Sequence, residues 1–63
     1  MSRKVKIKVN ELEKVYLLEI YGLISYIDEM IKLVFLTATD QNVEEIKQLP
    51  FVIKVSDNRT GSL

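Results

Sequence analysis

Polar and apolar residues alternate strictly over residues 4–9, so that Val5, Ile7 and Val9 share one face and Lys4, Lys6 and Lys8 the other. A period of two predicts a half-buried strand. The period then changes. Asn10 offers an N-cap oxygen with Glu13 three residues on, the spacing of a capping box, and Leu12, Val15 and Tyr16 fall on one helical stripe. A helix over residues 11–21 would end at Gly22, a residue suited to the left-handed position that follows many helices. Glu19 falls on the same side as the stripe, and a second reading makes residues 15–21 a strand in a hairpin.

Residues 23–27 read as the next strand and Asp28-Glu29-Met30 as a polar turn. Residues 31–39 are the most apolar stretch, with Leu33 and Phe35 on one face and Val34, Leu36 and Ala38 on the other. Apolar residues on both faces suggest a central strand. Thr39, Asp40 and Asn42 compete to cap a second helix, and Asn42 with Glu45 repeats the spacing of Asn10 with Glu13. Val43, Ile46 and Leu49 form its apolar face, Pro50 stops it, and residues 51–55 resume the extended pattern. Residues 56–63 are polar and predict a mobile tail.

The order β-α-β-β-α-β predicts one α+β domain: a ferredoxin-like plait, a four-stranded antiparallel sheet with two helices on one face. The uncovered face would show the lysines of the first strand. The third strand would add either Leu33 and Phe35 or Val34, Leu36 and Ala38. An exposed apolar band on so small a protein predicts an interface, so these five residues are the candidate contact set. The expected partner is another protein or a second copy, joined in a homodimer through the sheet face or an edge.

Composition sharpens that expectation. With 63 residues the chain forms one domain, and a core of this size is marginal. Without Cys or His it has neither disulfides nor the common zinc sites to help, which leaves self-association as the supplement. Nine basic and nine acidic residues cancel, giving no long-range pull toward nucleic acid or anionic membrane. No apolar run reaches membrane-spanning length and no leader pattern opens the chain, so a cytoplasmic protein is expected, and Met1 favours an independent gene product.

Candidate chemistry is sparse. Nucleophilic catalysis of the Ser–His type has no histidine or thiol to use. Asp28-Glu29 and Glu44-Glu45 read as a solvated turn and a solvated helix face, without calcium-loop spacing. Gly22 and Gly61 are too far apart to cradle a phosphate. No catalytic, cofactor-binding or metal-binding residue is therefore expected. Arg3, Lys4, Lys6 and Lys8 could touch phosphate, but lysines along a strand also discourage edge aggregation. Recognition of single-stranded RNA on a plait would want exposed stacking aromatics, and only Phe35 offers itself, so nucleic acid is not the expected partner. Tyr16, Tyr21 and Tyr26 read as core-edge residues with a wet hydroxyl.

The strand residues Val5, Ile7 and Val9, then Leu12, Tyr21-Gly22, Ile24, Tyr26-Ile27 and Ile31-Lys32 make the chain resemble the YlbG-like family of small bacterial proteins. Val34, Leu36, Leu49-Pro50-Phe51-Val52 and Lys54-Val55 extend the resemblance over most of residues 5–55. The second helix is shorter than the family pattern, and Asp28-Glu29 is acidic where basic residues are typical. The resemblance implies a ferredoxin-like fold in a cytosolic setting, with no catalytic residue to carry over. Residues 22–63 are also similar, less evenly, to subtilisin propeptides and their inhibitor relatives, through residues 43–47 (Val-Glu-Glu-Ile-Lys), Pro50, Val52 and Val55. That likeness lacks the Gly-Phe step of the third strand and has Ser56-Asp57 in place of an acidic pair. It implies that Thr60, Gly61, Ser62 and Leu63 thread into a protease cleft, with Leu63 in the primary specificity pocket. The expected function is a non-enzymatic interaction or regulatory protein. The alternatives are a propeptide-like inhibitor or folding assistant of a subtilisin-type protease, and a small-molecule- or RNA-binding plait.

Overall fold

Alternation decides the first strand, β1 (Ser2–Val9), in which Val5, Ile7 and Val9 are fully buried and the lysines between them are not. A computed structural model describes residues 2–57 of the chain. After β1 come a 3-10 helix (Leu12–Ile20), β2 (Gly22–Asp28), β3 (Leu33–Thr39), α1 (Asp40–Ile46) and β4 (Val52–Asp57). The four strands form one sheet in the order β2-β3-β1-β4, every neighbouring pair antiparallel. The protein is thus a small α+β fold with a four-stranded antiparallel sheet and two helices. Among the described residues, no helix is long and apolar enough to cross a membrane.

Register puts the core on one side of the sheet. Val5 faces Leu36 and Ile7 faces Val34 across β1 and β3, so the buried residues of both strands share a face. Leu18 from the 3-10 helix, Val43 and Ile46 from α1, and Phe51 before β4 complete the cluster over that face. Each such side chain contributes about 1.5–3 kcal/mol on burial. Both helices therefore cover the same face.

The first helix departs from the sequence expectation in an instructive way. Leu12, Val15, Leu18 and Tyr21 recur every third residue, and these are the positions turned toward the core. In an α-helix a three-residue step falls short of a full turn by about 60°, and four such positions would spiral off the sheet. A 3-10 helix turns once per three residues and keeps them in line, although runs beyond three or four residues are uncommon. The register also settles the misfit of Glu19, which points to solvent beside an exposed Tyr16, so Tyr16 belongs to no buried stripe and the hairpin reading of residues 15–21 fails. Glu11 stands at the N-cap with no side-chain hydrogen bond, so the Asn10–Glu13 capping box does not form.

Gly22 has a different task from the one expected. It opens β2 opposite Ala38, where a Cβ would press into the Thr37 carbonyl oxygen and come 2.9 Å from the Ala38 Cβ. Close approach, not a left-handed turn, requires glycine there. Thr39 wins the contest to cap α1, its Oγ1 accepting from the Asn42 N–H at 3.2 Å. Asn42 instead donates from Nδ2 to the Tyr21 carbonyl at 2.9 Å, joining the end of the 3-10 helix to the start of α1. α1 stops at Ile46, short of the expected Leu49, because the residue before Pro50 is disfavoured in helical geometry. The Gln48 and Leu49 N–H groups close tight bonds of 3.1 Å to Glu45 and Ile46.

Two of the remaining expectations shift at their edges. β3 begins at Leu33, because Ile31 and Lys32 belong to the turn, where Lys32 adopts a left-handed φ of 58°. β4 runs through Asp57, so Ser56 and Asp57 pair with Lys6 and Val5 and belong to the sheet, not to a tail.

Candidate functional site

Two irregularities in the sheet build the uncovered face. Along β2, Ile24 pairs with Leu36 but Tyr26 pairs with Phe35, so Ser25 is an extra residue. Its hydroxyl donates to the Phe35 carbonyl at 3.1 Å. Without this bulge, alternation would send Tyr26 into the core with Ile24. With it, Tyr26 turns outward and Ile27 turns in against Val34. In β4 the same device recurs. Val52 pairs with Val9 and Lys54 with Lys8, leaving Ile53 as the extra residue. Lys54 then joins the open face while Val55 returns to the core.

The resulting face has an ordered composition. Its middle row runs Tyr26, Phe35, Lys6, Ser56 across the four strands, and the next row runs Asp28, Leu33, Lys8, Lys54. Leu23, Thr37 and Lys4 form a third row. Tyr26 and Phe35 make a tilted pair with ring centroids 5.8 Å apart and planes at 47°, and Tyr26 is 60% exposed. Successive lysines of β1 on this face are separated by about 7 Å, twice the rise per residue. A groove of about 370 Å³ lies on the β1–β4 side, lined by Lys6, Lys8, Leu33, Ile53, Lys54 and Ser56.

Electrostatically the face is one-sided. Lys4, Lys6, Lys8 and Lys54 share it with one acidic strand residue, Asp28, whose carboxylate accepts from the Met30 N–H at 3.1 Å. Among the described residues none of these four lysines forms an ion pair, although Lys8 Nζ donates to the Ile31 carbonyl. Lys8 and Lys54 stand directly opposite each other, an arrangement that destabilises a sheet when nothing neutralises it. The ion pairs lie elsewhere. Arg3 meets Asp40 at 3.2 Å and Asp57 at 3.4 Å, tying β1 to the start of α1 and the end of β4, and two i,i+3 pairs lie on the helices.

The expected contact set is split by this geometry. Leu33 and Phe35 lie on the open face. Val34, Leu36 and Ala38 are buried under the helices and cannot serve as contacts, because they are the strand's share of the core. Tyr21 alone of the tyrosines is a core-edge residue; Tyr16 and Tyr26 are exposed. Thr60, Gly61, Ser62 and Leu63 lie outside the described residues. Among the described residues no group of three or more Asp, Glu, His or Cys side chains comes together that could hold a metal ion. A second copy stacked face to face with β1 over β1 would oppose the lysines of the two strands, a clash of charge that pairing along a sheet edge avoids.

Tyr26 and Lys54 were not singled out as site residues by sequence reasoning, and a signal for them exists. Ile24 and Ile27, like Val52 and Val55, are apolar pairs three residues apart inside strands of period two. Such a break in parity is how a bulge is written in a sequence. Compared with known proteins, the chain matches no family model, no curated protein and no solved structure.

Proposed function

We propose that this chain is a non-catalytic binding module, built as a ferredoxin-like plait, whose working surface is the open face of its sheet. The plait reading is supported by the connectivity: β3 lies between β1 and β2, the strands of the first βαβ unit, and β1 lies between β3 and β4, the strands of the second. That interleaving is what a split βαβ reading calls for.

The observation that carries the function is the pair of bulges. Each bulge returns an aliphatic residue, Ile27 or Val55, to the core and in the same step brings Tyr26 or Lys54 onto the open face. The unneutralised Lys8–Lys54 opposition is a cost to the isolated chain that a bound partner would offset, and the exposed aromatic pair is apolar surface that a partner would cover. Self-association, where it occurs, would run through the outer edges of β2 or β4 and leave this face free.

Affinity capture from the source cells with three baits tests the reading: the wild-type chain, an open-face variant (Lys6→Glu with Phe35→Ser), and a helix-side variant (Glu13→Lys with Glu44→Lys). The specific partners should be lost from the open-face bait and retained by the helix-side bait. The reverse pattern, or a captured set indifferent to both, removes the reading.

A further inference from the structure

We infer that the open face binds single-stranded nucleic acid, an inference that rests on the binding-face reading and names its partner. The bases would stack on Tyr26 and Phe35, and the backbone would run along the lysines of β1 and β4. Three observations converge. The rings of Tyr26 and Phe35 lie side by side at 5.8 Å on adjacent strands, with Lys6 directly across from Phe35 on the next strand. An aromatic platform flanked by cations matches a ligand that alternates flat apolar rings with anionic links. The lysines of β1 repeat at about 7 Å, comparable to the step between phosphates along an extended single strand. Lys8 and Lys54 stand opposite each other in the lining of the 370 Å³ groove, and among the described residues neither forms an ion pair, so a phosphate entering the groove would neutralise them. The neutral charge of the whole chain does not oppose this, since of nine acidic residues only Asp28 sits at a strand position of the face.

An acidic protein segment would satisfy the lysines equally well but would leave Tyr26 and Phe35 without a role. That difference makes the test. Fluorescence anisotropy with a labelled twelve-nucleotide oligouridine, and separately with a polyglutamate of matched length, should show tighter binding of the oligonucleotide. Its logarithmic affinity should fall linearly with the logarithm of salt, at about −0.7 for each phosphate engaged. Lys6→Ala with Lys8→Ala should reduce that slope by about 1.4. Tyr26→Leu and Phe35→Leu keep an apolar side chain on the sheet and remove the stacking ring; each should weaken oligouridine about tenfold and leave polyglutamate unchanged. Lys14→Ala with Lys47→Ala, on the helix side, should alter neither.

Polyglutamate bound as tightly as the oligonucleotide, with both leucine variants neutral, overturns the nucleic-acid inference and turns the face into a site for acidic protein while the binding-face reading stands. No binding of oligouridine at low salt overturns the inference outright. The binding-face reading falls with it only if the capture experiment is also indifferent to the open-face bait.

Discussion

The two faces of the sheet are made from the same strands and obey opposite rules. On the covered face the buried residues of β1 and β3 are aliphatic and in register, Val5 facing Leu36 and Ile7 facing Val34, and Leu18, Val43, Ile46 and Phe51 complete the cluster with them. On the open face an aromatic pair adjoins lysines that, among the described residues, no carboxylate neutralises, and two bulges are needed to assemble it. Chain neighbours such as Phe35 and Leu36 therefore belong to different problems. One packs the protein; the other faces outward, where a partner can reach it.

Introducing a charge at either member of that adjacency should produce the largest contrast. Leu36→Lys places an ammonium under the helices and should abolish the cooperative urea transition, since burying an unpaired charge exceeds the few kcal/mol a chain this small has to lose. Phe35→Lys, one residue away, should keep a cooperative transition and lose about 1 kcal/mol, mainly the ring pairing with Tyr26. Cooperative unfolding of the Leu36→Lys chain would break the comparison.

The helical layer offers the next contrast. Leu18→Ala should cost about 3 kcal/mol by chemical denaturation, as for a fully buried leucine, whereas Tyr16→Ala should change stability by less than about 0.5 kcal/mol. Equal losses would mean that the three-residue register of the first helix is wrong. Gly22→Ala should lose about 2 kcal/mol because the atom nearest a methyl group there is the Thr37 backbone carbonyl oxygen of β3, which cannot swing aside. A neutral result would show that β2 can step away from β3 without harm. Thr39→Ala should cost about 1 kcal/mol, the usual worth of a cap, with Thr39→Ser restoring most of it.

How much of this was legible follows from which rule governed each stretch. β1 was readable because period two is strict there, and the identity of β3 because a run apolar on both faces marks a central strand. The existence of both helices was readable too, but not the type of the first, because Leu12, Val15 and Leu18 fit either a loose α stripe or a perfect 3-10 line, and only the sheet beneath chooses. The first cap was misread and the second left open between three residues, and both asparagines are engaged elsewhere: the Asn10 backbone N–H is donated to the Phe51 carbonyl at 3.0 Å, and Asn42 Nδ2 reaches the Tyr21 carbonyl. The open face was half legible. Lys4, Lys6 and Lys8 followed from alternation, and Leu33 and Phe35 were named together with the strand's buried residues. Tyr26 and Lys54 were hidden because a bulge inverts parity, and a strand pattern read without bulges sends both to the wrong side.

The sheet order has a consequence in time. β2 and β3 are joined by a short turn and can pair as soon as both exist, whereas β1 pairs with β3 and β4, which both follow it in the chain. Of these four strands the earliest in the chain is thus the one that waits longest for neighbours, presenting Val5, Ile7 and Val9 beside bare backbone to every other nascent or unfolded chain. Charges at alternate positions are a recognised defence of such an edge. Replacing Lys4, Lys6 and Lys8 with threonine should leave the unfolding midpoint nearly unchanged while refolding yield falls steeply with protein concentration; a yield independent of concentration would dismiss the defence. The lysines that dress the finished face guard the chain before there is a face.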